Sequence, residues 1–414
     1  MNVEVIDYFK NQISYFSTSP RSYFDSSSFT LISNLVLEAV DAYYKSGGSR
    51  PSTGLYPGTS LASVTIETCR STLRDFFSVS DGEIVFPVTR GAGIVQLLYS
   101  LSQTGPIILF PYTGLDHDIW LPVFELAEQL SLSSIPIPVK TSFLEIQNFL
   151  ISETSQHSSD TKVIILPYTS LGTGLTVSLS FLSNIKSIPN TYIILDCTFA
   201  VGVSQINLSK LPIDAAVFDS NIGLGGPIGS GIMYLHKSLL NKMNPYVILG
   251  NGTIIQVTTS SFILDNAPQS LEGSINPAIL AGITKSIDIL NQISLATIRT
   301  HILSLKDFFF EQLKKTNDIA LLGSLDSQDY ANIIGFIIPN VNMHEIAMYL
   351  DEVHNIDIRS GSFCAHPLID QLYARLNLQN SNLGILQLSF HYYSTKQDIE
   401  KLISAIREFL NIFK

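Results

Sequence analysis

"FDSNIGLGGPIGSGIMYLHK" (residues 218–237) reads as the end of a strand, a glycine-rich turn and a second apolar strand. Gly223, Gly225 and Gly226 crowd the turn, and no lysine appears before Lys237. Glycine clusters between β-branched apolar runs mark turns between buried strands. Upstream stand "DAAVFD" (214–219), "TYIILDC" (191–197), "KVIILPY" (162–168), "PIILFPY" (106–112) and "GEIVFPV" (82–88). Between them lie helical patterns such as "GIVQLLYSLSQ" (93–103) and "IWLPVFELAEQL" (119–130). Uninterrupted apolar strands alternating with helices predict an α/β fold with a mainly parallel sheet covered on both faces. Functional loops are then expected at the carboxyl ends of the strands.

Downstream of about residue 290 the rhythm changes. A long helix (294–315) leads to a strand (331–339), a helix (343–352), a strand (356–359) and a closing helix (395–412). The expected organisation is a large α/β domain over 22–290 and a smaller α+β domain over 291–414. The N-terminal arm, 1–21, is expected to pack on the smaller one.

Composition narrows the function classes. The chain has 414 residues, a net charge of −11 and no basic run, which argues against nucleic acid or an anionic membrane as main partner. Hydrophobic residues make up 45% and supply a sizeable core. No apolar run reaches the roughly 18 residues that span a bilayer. "MNVEVIDYFKNQ" lacks the basic start and apolar centre of a signal peptide, so a cytoplasmic location is expected. Three widely spaced cysteines, Cys69, Cys197 and Cys364, argue against a disulfide framework, and no CxxC pair suggests a metal.

Late in the chain, "NIDIRSGSFCAHPLIDQL" (355–372) delivers Arg359 from a strand, then a Ser-Gly turn, then Cys364 followed by Ala-His-Pro-Leu. This resembles the cysteine loop of SufS-type cysteine desulfurases and selenocysteine lyases, in the class V aminotransferase family. Four further stretches resemble that family in the same order: 23–44, 80–101, "LEGSINPAILAGITKSIDIL" (271–290) and "SFHYYSTKQDIEKLISAI" (389–406). The resemblance implies pyridoxal phosphate (PLP) fold type I, with a seven-stranded, mainly parallel sheet in a three-layer large domain. It also implies a homodimer, or a heterodimer with a desulfurase-like paralogue, because sites of this family lie between subunits.

The resemblance assigns roles residue by residue. Asp196, at a strand end, stands where the family pairs the pyridine nitrogen; locally it reads equally well as a turn-capping Asp. His117 stands at the ring-stacking position, and locally also reads as a surface histidine. Thr89, Arg90 and Gly91 occupy the phosphate-loop positions, with Arg90 either binding an anion or filling the cup itself. Ser220 precedes the family's Schiff-base lysine position, and Ser274 replaces a Thr that reaches the neighbouring subunit's phosphate. Cys364 stands where the family's sulfur acceptor is, either reactive or inert.

The departures fall at the centre of the chemistry. The lysine position is Gly223, and the preceding His is Ile222. The Gln after the pyridine Asp is Phe199. The Asn facing the phenolic oxygen is Thr169, and the carboxylate-clamping Arg is Gln387. A Schiff-base lysine is both aldimine partner and general base, and glycine is neither. The leading expectation is a degenerate cysteine desulfurase homologue acting as a non-catalytic or regulatory partner in sulfur transfer, with PLP non-covalent or absent. The alternatives are an atypical enzyme that holds PLP or its amine form non-covalently or carries persulfide on Cys364, and a small-anion binding module with Arg90 and Asp196 as poles. A lysine restored at 223 is expected to capture PLP in part, with Arg at 387 then needed for sulfur release.

Overall fold

The computed structural model describes residues 3–51, 54–140, 143–243, 254–264, 268–314, 319–323, 332–378 and 380–413. Seven strands form the main sheet. In spatial order they are Glu83–Val85, Gly231–Leu235, Ala215–Asp219, Thr191–Asp196, Thr161–Pro167, Ile107–Pro111 and Ser133–Ser134. The strands from Ala215 to Ser133 in that order run parallel. Gly231–Leu235 runs antiparallel to both its neighbours.

The expected α/β sheet is therefore present. Its central strands are buried at almost every position, Val163 to Leu166 and Ile193 to Leu195 among them. Such strands have no solvent face, so helices must cover both sides. The seventh strand, Ser133–Ser134, has no apolar run to announce it; it pairs through Ile108 and Leu109 at the sheet edge.

A second sheet, all antiparallel, orders Ala320–Leu321, Ile333–Ile337, Ile385–Ser389 and Arg359–Gly361. Ala331, where the sequence reading starts its strand, and residue 315, where it ends its long helix, lie outside the described residues. The helices Pro277–Ile293 and Leu295–Leu313 are separated at Ser294, whose φ of 70° ends one helix while its side chain caps the next. The N-terminal arm holds two helices, Val3–Asn11 and Ser14–Thr18. Ser22–Tyr23 pairs with Ile356–Asp357, and Arg21 joins Asp351 and Asp357. These pairings tie the start of the chain to the second sheet's neighbourhood. Among the described residues no helix is long and apolar enough to cross a membrane, and no cluster of metal-ligating side chains occurs.

Candidate functional site

The helix Arg90–Ser102 starts at the carboxyl end of Glu83–Val85, and Thr89 caps it by accepting from Ala92 N at 3.1 Å. Its first residue is Arg90. A cation at a helix N-terminus faces the positive end of the dipole, typically an unfavourable ~0.3–1 kcal/mol. Four carboxylates reverse that balance here. Arg90 Nη1 reaches Asp196 Oδ2 at 2.5 Å, and Nη2 reaches Asp116 Oδ2 at 2.6 Å and Asp118 Oδ2 at 3.2 Å. Nε lies 2.7 Å from Asp219 Oδ2.

The topology explains the gathering. Asp196 and Asp219 end adjacent parallel strands, while Asp116 and Asp118 flank the start of the helix His117–Gln129. Arg90 is 2% exposed. Burial works against its charge, but Asp196, Asp116 and Asp219 outweigh burial and hold it protonated well beyond the ordinary range. Burial also raises Asp116, against the pull of Arg90. It pushes Asp219 up to about 6.

The remaining assigned residues have partners of their own. Asp196 Oδ1 accepts from Thr198 N at 3.0 Å, so both its oxygens are engaged. Ser220 Oγ donates to Pro227 O at 2.5 Å. Thr169 Oγ1 pairs with Thr176 Oγ1 at 3.2 Å. A Cβ at Gly91 would overlap Asp118 O, so this glycine lets the two loops touch. Ser274 is exposed. His117 stacks on His366, with ring centroids 5.4 Å apart and planes 19° apart. His366 opens the helix that follows Cys364, so this pair seats the cysteine loop beside the Arg90 cluster. Cys364 is exposed, while Cys69 and Cys197 are buried. Arg359 lies over Phe363 at 4.7 Å. Burial lowers its basicity, partly offset by Asp25, Cys364 and Asp116.

The glycine turn is sewn in from two directions. Gly223 N donates to Thr30 Oγ1 at 2.7 Å, and its carbonyl accepts from His391 Nε2 at 2.9 Å. His391 is fully buried and pushed down to about 4, so its imidazole stays neutral. Gln387 donates to Leu171 O at 2.6 Å and accepts from Ser27 Oγ.

Sequence reasoning had not brought Asp116, Asp118, Asp219 or His391 into the site. "GLDHD" (114–118) and the Asp closing 214–219 were the signals for the three acids. Nothing local marks His391, which acts across 168 residues. Arg90 and Asp196, read as possible separate poles for an anion, instead neutralise each other at 2.5 Å.

A PLP ring held here needs Asp196 for its nitrogen, an amine for its aldehyde and an anion cup for its phosphate. Asp196 is taken by Arg90, Gly223 has no side chain, and the cup is ringed by Asp116, Asp118 and Asp219. The residues as they stand do not fit the cofactor.

Comparison with known proteins gives consistent results. The family model described as aminotransferase class-V matches residues 22–402. A probable cysteine desulfurase from Pyrococcus abyssi is 26% identical over 394 residues, covering 93% of each chain. One from Methanothermobacter thermautotrophicus is 24% identical over 390 residues, covering 93% of this chain and 94% of the relative. The apo cysteine desulfurase of Thermococcus onnurineus NA1 superposes with a TM-score of 0.85 at 22% identity, covering 98% of both chains. A variant of the cystine C-S lyase C-DES, with glycine covalently linked to its PLP cofactor, gives a TM-score of 0.78 at 16% identity, covering 95% of this chain and 98% of that one. At these identities the two structures show the shared fold, that of PLP fold type I.

Proposed function

This chain belongs to the class V aminotransferase family, among cysteine desulfurase-like members, and from that premise we propose that it is a degenerate homologue acting as a non-catalytic or regulatory partner in sulfur transfer. One observation carries the reading: the guanidinium of Arg90 lies where the cofactor's ring nitrogen would meet Asp196. Together with Gly223 in place of an amine, it leaves no route to the family's covalent chemistry.

The exposed Cys364 supports a second role within that reading. Its thiolate would attack the outer sulfur of a persulfide on a desulfurase partner. The partner's S–S bond breaks, its thiolate leaves, and Cys364 becomes the persulfide; no outside oxidant is needed. A cytoplasmic location belongs to this proposal, because the exchange needs reduced thiols and all three cysteines are free.

The test is spectroscopic and chemical. Purified protein mixed with PLP is expected to show no aldimine band and no borohydride-fixed adduct, and to release no sulfide from cysteine. Sulfide release above the no-protein rate, or a fixed adduct on a peptide within 215–240, overturns the reading.

Assembly as a homodimer, or with a desulfurase-like paralogue, belongs to the same proposal. The hairpin of Ile254–Val257 and Phe262–Leu264 exposes Ile255, Val257, Phe262 and Ile263, and Leu55 is fully exposed. Light scattering is expected to report twice the 45.6 kDa chain mass. A monomer at micromolar concentration removes the homodimer and leaves only the paralogue to test by co-purification.

A further inference from the structure

A cavity of about 270 Å³ opens between the carboxyl ends of Ile107–Pro111 and Thr161–Pro167 and the helices Phe143–Ser155 and Leu179–Lys186. That is the space of about nine liquid waters at ~30 Å³ each. Phe143, Ile146, Leu175 and Phe181 supply apolar walls. None of the lining residues belongs to the Arg90 cluster or the Gly223 turn.

Its charged lining groups are of one sign. Lys140 and Arg375 both line the cavity, both are exposed, and neither has a carboxylate partner among the described residues. Tyr112 lines it too, 7% exposed, with no hydrogen bond to its hydroxyl among the described residues. Burial raises that phenol, and the charge of Arg375 acts on it in the opposite sense.

The fold holds both cations at this cavity. Gln371 accepts from Val139 N at 2.6 Å and donates to Thr113 Oγ1 at 3.5 Å. Lys140 is the next residue after Val139. Arg375 is four residues after Gln371 on the same helix, hence on the same face. The helix that follows the cysteine loop is thereby held across the cavity. A concave apolar wall with a few polar groups is the usual build of a small-molecule site. Two cations without carboxylate partners among the described residues, beside the Tyr112 hydroxyl, select an anion.

We propose that this cavity binds an amphipathic anion, an aliphatic carboxylate whose chain lies against Phe143, Ile146 and Phe181 and whose head group sits between Lys140, Arg375 and the Tyr112 hydroxyl. The assignment is independent of whether the protein is catalytic.

Calorimetric titration of the full chain with octanoate, octan-1-ol and octylamine tests it. Octanoate is expected to bind once per chain, at least about tenfold tighter than octanol, as charge-assisted hydrogen bonds imply. Octylamine is expected to be weaker than octanol. The double variant Lys140→Gln, Arg375→Gln is expected to lose about tenfold for octanoate and to leave octanol unchanged, which also shows that it is folded. Leu175→Trp is expected to weaken both by filling the cavity. Octanoate no tighter than octanol, no saturable binding at millimolar concentration, or charge variants with unchanged octanoate affinity overturns the proposal.

Discussion

Replacing Arg90 with methionine is expected to destabilise the fold by about 3–5 kcal/mol near neutral pH, the cost of removing one partner from a buried ionic group. Methionine approximates the length of the side chain but supplies no charge. Asp196, Asp116 and Asp219 would then face one another without a counter-ion, in a place where Arg90 is 2% exposed. Like charges in a buried site favour the protonated carboxyl.

That gives the loss a direction with pH. Asp219 is already raised to about 6 from an unfolded value of 3.8. A carboxyl whose folded value is raised favours the folded state below the unfolded value, and that advantage is lost as pH rises through the folded value. Without Arg90, Asp219 and Asp116 lose the charge that pulls them down and rise further, so the deficit of Arg90→Met is expected to shrink between about pH 7.5 and pH 5. Urea unfolding at both pH values checks this. Adding Asp196→Asn is expected to recover part of the loss, because it removes one of the stranded charges. A variant as stable as the parent at both pH values, or a deficit that ignores pH, means the cluster does not hold the cleft as described.

How much of this was legible in the sequence depends on the range of the interaction. The central strands were legible because runs such as "VIIL" (163–166) and "IIL" (193–195) are buried on both faces and show it in every residue. Ser133–Ser134 was not, because an exposed edge strand of two serines has no pattern to read. Arg90 was visible as an anomaly in a phosphate-loop position, but its two readings, binding an anion or filling the cup, differ only in where the guanidinium ends. That depends on Asp116, Asp118, Asp196 and Asp219, contributed by separate loops and strand ends. The absence of an amine at 223 was plain in the sequence. What holds the turn in its place was not, since Thr30 and His391 approach it from opposite ends of the chain.

Restoring a lysine at 223 is therefore expected to fail, contrary to the sequence-based expectation of partial cofactor capture. Gly223 has φ of +72°, where an L-residue is strained by roughly 1–2 kcal/mol. The direct obstacle is steric. A Cβ on Gly223 would overlap the Val201 carbonyl oxygen, and a Cβ on Gly202 would overlap the Gly223 carbonyl oxygen. The two loops touch backbone to backbone, so no flexible side chain is free to yield. The Gly223 amide and carbonyl are meanwhile committed to Thr30 and His391, which resist the shift that would admit a Cβ. Overpacking of this kind typically adds about 1–3 kcal/mol to the strain. Gly223→Lys and Gly223→Ala are both expected to lose about 2–5 kcal/mol in urea unfolding, because the first side-chain carbon, not the amine, is the cause. Neither is expected to form a borohydride-fixed PLP adduct. If Gly223→Lys unfolds like the parent and carries the cofactor on its 215–240 peptide, the turn is more yielding than its contacts indicate. One substitution would then be enough to give the turn the amine that the family's chemistry uses. If both variants are destabilised alike and remain colourless, the glycine is a structural requirement of the turn, and admitting a side chain must begin at Val201 and Gly202 rather than at 223.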